Sequence, residues 1–351
     1  MPDLPACLLT PPLRLTAEFP GIGGLFKQNL EDFIVEEIPA YLPSGSGEHL
    51  YLWIEKRDMG AEFFQRQIAQ RLGIPTGEIG TAGMKDRKAV TRQWVSIPAH
   101  CETQLPQLEG DGIAVLQSSK HGNKLRPGHL HGNRFTIVLR EVKETASLDQ
   151  LLSIIQQQGL PNYYGSQRFG RDNETLSMGW RMLQGERLKI NPFLRKLALS
   201  SVQSALFNRC LSQRLSDGLF RTVLDGDVMA KWPAGGMFVT HDTVTEQQRF
   251  DVKEIVHTGP MFGSKLKASE GVQAEREAAV LSECGLTVDI FDVGGRLQEG
   301  TRRHNLIYVE ELECKVDGST VTLQFRLPAG CYATTLLSEL MKTDSDAADG
   351  D

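Results

Sequence analysis

Strand-patterned segments stand at both ends of this chain, and a block of different character lies between them. That order implies one domain inserted into another. Near the start, Leu50–Tyr51–Leu52–Trp53–Ile54 is a short apolar run rich in strand formers. Asn133 to Leu139 alternates, so that Phe135, Ile137 and Leu139 share one side. After Arg303 the strands return: Glu311–Val316 and Thr320–Phe325 flank Asp317–Gly318, a strong hairpin signal. Between them, roughly Thr222 to Ser269 is Gly-rich and strand-like. Helices are expected over Ala61–Leu72, with Phe63, Phe64, Ile68 and Leu72 on about one face and Gly73 closing the end. Others are expected from the capping-box pattern at Ser147 to about Gln158, and from Asn191–Pro192 through Cys210. Two more cover Val272–Cys284 and about Tyr332–Met341. At 351 residues there is room for about two domains.

The formal charge of -6 argues weakly against a nucleic-acid partner, but the total hides its distribution. Four of the acids lie in the tail Asp344–Asp351, which is expected to be disordered. From Gly112 to Arg140 there is no acid at all, while Lys120, Lys124, Arg126, Arg134 and Arg140 are basic. Such a patch suits phosphates. The six cysteines are scattered without any C-x-x-C pair, which suggests neither a zinc site nor a disulfide framework. Reduced thiols, the absence of a signal-peptide pattern and the absence of a membrane-length apolar run lead us to expect a cytoplasmic protein.

The most informative stretch is Gly80 to Gln93. Asp86 is its only acid, among Lys85, Arg87, Lys88 and Arg92. Nearby cations favour an ionised carboxylate, and the same cations attract phosphates. The pattern therefore suggests chemistry on a nucleic acid, and the bland alternative is a solvated surface loop. Asn162 to Gly170 mixes aromatics, amides, Arg168 and glycines, which suits stacking on unpaired bases; the alternative is a junction loop with packed rings. Neither Gly21–Gly24 nor Gly259–Lys265 has the context or spacing of a nucleotide-binding loop. His129 and His131 have no neighbouring cysteine or acid to complete a metal shell.

Five segments, in order, resemble the tRNA pseudouridine synthase D (TruD) family. They are Phe26–Glu37, Ala82–Gln93, Gly132–Phe135, Asn162–Gly170 and Leu327–Thr334. Leu30 stands where the family often has proline, a change that affects a turn. The resemblance implies an α+β fold: a pseudouridine synthase catalytic domain with a mixed, mostly antiparallel sheet, plus an inserted α/β TRUD domain. On this chain the catalytic domain would cover 1–159 and 306–343, the insertion 160–305, and the acidic tail 344–351. A basic cleft between the two domains would hold the RNA.

The same resemblance implies conversion of uridine to pseudouridine in tRNA, most specifically uridine 13. Asp86 matches the catalytic aspartate and Lys27 a basic residue near the active site. Asn133 matches an asparagine that orients the aspartate, and Phe135 an aromatic that packs against the target base. No cofactor, metal, membrane or protein partner is implied. Lys85, Arg87, Lys88, Arg92, Lys120, Lys124, Arg126, Arg168, Arg302 and Arg303 are the candidate phosphate or RNA contacts. Two rivals remain: a non-catalytic RNA binder, which has no use for the Asp86 carboxylate, and a metal-dependent nuclease, which needs acids clustered about it.

Overall fold

The alternation of apolar side chains in the first third of the chain decides how its strands stack. In the computed structural model, which describes residues 4–343, they build a nine-stranded sheet. Its main path runs Glu310–Asp317, Thr320–Pro328, Leu130–Val142, Phe33–Pro39, Val90–Pro98, His49–Arg57 and Ile113–His121. Gly23–Leu25 and Gly80–Thr81 are attached beside it. The pairs are antiparallel except Phe33–Pro39 against Val90–Pro98, which is parallel. The expected hairpin at Asp317–Gly318 is present, with Asp317 paired to Thr320 and Gly318 at φ +58°.

Register assigns the side chains to one face of this sheet. Val35 lies opposite Phe135, and Glu37 opposite Asn133. Phe135 and Asn133 lie opposite Phe325 and Leu327. In the other direction Val35 neighbours Thr91, which faces Lys56. Directly paired residues share a face, so one side carries Glu37, Asn133, Phe135, Thr91 and Lys56 together. Farther along that face Leu50, Leu52, Ile54, Val95 and Ile97 pack on the Ala61–Leu72 helix through Phe64, Ile68 and Leu72. Burying each of these large side chains contributes about 1.5–3 kcal/mol. Phe63, expected on the same helical face, is exposed. Gly73 ends the helix at φ +64°, its N–H donating to the Ala69 carbonyl.

The chain divides by packing into two units. One holds Gly21–Asp149 and Val309–Ala333, together with the described residues from Met341 onward; the other holds Gln150–Tyr308 and Thr334–Leu340, together with the described residues up to Pro20. The edges differ from the bounds implied by family resemblance, because the described residues up to Pro20 and the segment Thr334–Leu340 pack with the middle block. Leu8 joins a core with Leu176, Trp180, Val202 and Leu206. The Thr16 hydroxyl donates to Glu339 Oε2 at 2.7 Å.

In this second unit a four-stranded sheet runs Met237–Val239, Val228–Lys231, Ile255–Met261, Thr301–His304. The Pro192–Ser216 helix is its backbone; Asn191 Oδ1 accepts from Leu194 N–H at 2.7 Å, the expected cap. That helix runs past the expected end at Cys210 and is buried on more than one side, with Ser201, Gln203, Ser204 and Asn208 also covered. The block expected to be strand-like contains the Thr243–Asp251 helix, capped by Asp242 Oδ1 on Thr245 N–H at 3.0 Å. No helix among the described residues is long and apolar enough to cross a membrane. The acidic tail 344–351 lies outside the described residues.

Candidate active site

Asp86 lies in the loop between the Gly80–Thr81 and Val90–Pro98 strands and is half-buried. Its main chain is held from the sheet: Lys56 Nζ donates to the Asp86 carbonyl at 2.9 Å and also to the Met59 carbonyl. The residue before it is anchored too. Lys85 Nζ sits 3.0 Å from Glu37 Oε2, and both side chains are buried. Burial pushes the Glu37 carboxyl up, and Lys85 pulls it back toward the usual carboxylate range. Trp94 N–H donates to the other oxygen of Glu37 at 3.4 Å.

Beside this loop the sheet face carries an aromatic stack. Phe135 lies parallel to Phe325 at 5.3 Å and meets the edge of Phe33 at 6.2 Å. Lys27, at φ +57°, holds its ammonium 4.5 Å from the Phe33 ring centre. Lys27 and Phe135 therefore flank one ring. Phe135 itself is buried. Asn133 Oδ1 is buried without a hydrogen-bond partner, and among the described residues no hydrogen bond joins Asn133 to Asp86. Glu37 Oε2 (in ion-pair contact only), Thr91 Oγ1 and Gln93 Oε1 also lack hydrogen-bond partners.

The basic residues separate into anchors and candidates for contact. The cations that crowd Asp86 in sequence meet acids from elsewhere in space. Lys85 is turned inward to Glu37. Arg92 binds Glu36 at 2.8 Å and Glu55 at 2.9 Å, and those hydrogen bonds raise its pKa further, Glu36 first. It follows Thr91 along the strand, so it points to the opposite face. Arg87 is exposed, 3.6 Å from Asp58, and Lys88 is half-buried. In the acid-free stretch, Lys120 pairs with Glu102 at 2.8 Å and Lys124 donates to the Gly77 carbonyl. Arg126 is exposed, Arg134 pairs with Glu311, and Arg140 binds Asp32 through both nitrogens of its edge.

The remaining three arginines belong to the other unit. Arg302 is buried, binds both oxygens of Glu277 and donates to the Lys267 carbonyl, so it is a core residue. Arg303 donates to the Asn162 carbonyl and to Asn162 Oδ1, and lies 4.1 Å over the Tyr164 ring. Arg168 donates to Ser200 and Ser204 and stands 5.6 Å from the same ring. The Asn162–Gly170 segment thus packs within its own unit, with Tyr163 buried against Ser212.

The model of the family described as tRNA pseudouridine synthase D (TruD) matches residues 13–190 and 184–340. The chain belongs to the tRNA pseudouridine synthase D family. A protein of Anaeromyxobacter sp. (strain Fw109-5) named tRNA pseudouridine synthase D is 42% identical over 344 residues, covering 96% of this chain and 98% of the relative. One of the same name from Thermus thermophilus is 39% identical over 333 residues, covering 94% and 92%. A solved structure, the putative tRNA pseudouridine synthase D (TruD) from Methanosarcina mazei, has the same fold: TM-score 0.77, 23% identity, 95% of this chain and 96% of that one.

In this member of the tRNA pseudouridine synthase D family, two buried charges not singled out from sequence, Lys56 and Glu37, hold the Asp86 loop. Both were open to detection. Leu50, Leu52, Ile54 and Lys56 occupy alternate positions on one strand, as do Phe33, Val35 and Glu37 on another. Each series ends in a charge on the buried side.

Proposed function

We propose that this protein isomerises uridine to pseudouridine in tRNA, at uridine 13, with Asp86 as the reacting carboxylate. The observation that carries this reading is the half-buried Asp86 on a loop fastened by two buried lysines, beside the Phe135–Phe325 stack, in a chain that matches its relatives nearly end to end. The reaction breaks the N1–C1′ bond and makes C5–C1′, while the C5 proton leaves to solvent and N1 gains one. Substrate and product are isomers, so the balance needs no oxidant or reductant.

Three routes are open to Asp86: attack on C1′, attack on C6, or removal of the 2′ proton to give a glycal. Each requires the uridine to leave its stack. Asn133, with its unpaired amide oxygen, is available to substrate or to Asp86 once the site is filled. Lys27 supplies positive charge near the aromatic stack, and Arg87, Lys88 and Arg126 are the phosphate contacts this reading favours. The catalytic and inserted domains take the bounds 1–159 with 306–343, and 160–305.

Asp86→Asn tests the reading. Tritium release from tRNA carrying 5-labelled uridine is expected to fall to background, while tRNA binding stays within a few-fold of wild type. Carbodiimide mapping locates the product, expected at position 13. Substantial release by the variant removes Asp86 from its role; product elsewhere removes the assigned position.

A further inference from the structure

Lys56 is a charged residue in a place where charge is expensive. It is fully buried, and among the described residues no carboxylate forms an ion pair with it. Its ammonium donates only to main-chain carbonyls, those of Met59 and Asp86. Burial pulls its pKa down to about 8; the Asp86 and Asp58 carboxylates push it back up, and the Lys85 ammonium pushes it down. Glu55 and Arg57, its neighbours along the strand, alternate to the other face, where they pair with Arg92 and with Glu31 and Glu55. Thr91 stands opposite. The groups that set its ionisation are therefore Asp86, Lys85 and Asp58.

A latch for two carbonyls does not need a charge. A neutral donor would hold them without the desolvation cost of an ammonium. The charge is retained where its strongest favourable partner is Asp86. We propose that Lys56 is the positioning residue of the reaction, fixing the main chain of Asp86 to the sheet and setting the field in which its carboxylate works. The ammonium ties the turn entering the Ala61–Leu72 helix to the Asp86 loop, so the loop is pinned at Asp86 through Lys56 and at Lys85 through Glu37. Neutral Lys56 retains fewer donors and no charge, so turnover requires the protonated form. The proposal rests on Asp86 being the reacting carboxylate.

The test compares wild type, Lys56→Met, Lys56→Arg and Asp86→Asn in single-turnover and steady-state tritium release, with tRNA affinity measured separately. Lys56→Met is expected to lower kcat at least 100-fold, with tRNA Kd and KM within threefold. In wild type kcat is expected to fall as pH rises through about 8, the point to which Lys56 is shifted. Lys56→Arg, which keeps its charge, is expected to retain more activity than the methionine variant and to lose that alkaline fall. A folded Lys56→Met protein with kcat within threefold of wild type overturns the proposal. If the variant does not fold, the wild-type profile decides: kcat flat from pH 7 to 10 overturns it, and an alkaline fall abolished by Lys56→Arg supports it. Failure of the underlying reading looks different: wild type makes no pseudouridine, or Asp86→Asn still turns over.

Discussion

Lys85→Met separates an internal anchor from an RNA contact. The Lys85 and Glu37 side chains are 3% and 0% exposed and 3.0 Å apart. Deleting one member of such a pair strands the other, a loss of about 3–5 kcal/mol. The stranded group is Glu37, whose carboxyl burial already raises and Lys85 holds down. Without Lys85 its folded pKa rises further above the unfolded value of 4.5. Between those two values the folded state binds more protons than the unfolded, so stability falls as pH rises through the window. The loss is therefore expected to be largest at pH 8 and smaller at pH 5. Urea unfolding at both pH values, with Glu37→Leu and the double variant completing a cycle, measures it. The double variant is expected to recover most of the loss, because two apolar side chains replace the pair. A cost below about 1 kcal/mol at pH 8 refutes the argument. So does a fall of about one in the salt slope of tRNA binding, which would restore Lys85 as a phosphate contact.

Three further outcomes follow from the same geometry. Alanine at Arg126 is expected to reduce the slope of log affinity against log salt by about 0.7–0.9, and alanine at Lys120 and Lys124 by less, because those two already have protein partners; an unchanged slope for Arg126→Ala removes this patch from the RNA. Gly132→Ala is expected to cost at least about 2 kcal/mol, since its Cβ would lie 2.2 Å from the Leu327 carbonyl oxygen across a paired strand. A urea midpoint equal to wild type would contradict that clash. Phe135→Ala is expected to lose about 3–5 kcal/mol by opening the stack with Phe325, and a milder loss in thermal or urea unfolding would show that the ring is not core.

How much of this was readable beforehand depends on the range of the interaction. Local signals transferred well. The Asn191 cap, the Gly73 helix end and the Asp317–Gly318 hairpin each depend on a few consecutive residues. The Thr243–Asp251 helix interrupts the Gly-rich, strand-like block, and the Asp242 cap is the local signal for it. Charge is the least local of these signals. Asp86 looks isolated among bases in sequence, yet Glu37, Glu36, Glu55 and Asp58 arrive from other strands and turns to meet Lys85, Arg92 and Arg87. Coulomb interactions follow distance in space, and pairing across a sheet brings together residues more than thirty positions apart. Arg302 meets its partner Glu277 in the same way, from another element.

Buried charge by itself does not mark the site. The other unit also buries ions: Arg214 binds both oxygens of Asp227, and Arg302 binds both oxygens of Glu277, which accept further bonds from Ser269 and Gln273. Those pairs are complete. Each charge has its counter-charge, and every one of the four carboxylate oxygens accepts a hydrogen bond from its arginine. The Asp86 face is incomplete in a different way. Among the described residues Lys56 has carbonyls but no carboxylate at ion-pair distance, and Asn133, Thr91 and Gln93 each keep a buried oxygen without a hydrogen-bond partner. Register places Asn133 beside Glu37 and Thr91 beside Lys56, with Gln93 next along the same side, so these groups form one polar strip across four strands. A fold keeps such a strip at a cost in stability. Buried polar atoms without a hydrogen-bond partner occur in the other unit as well, at Thr240, Gln298 and Asn305 among others, so the feature particular to this strip is its register beside the loop that carries Asp86.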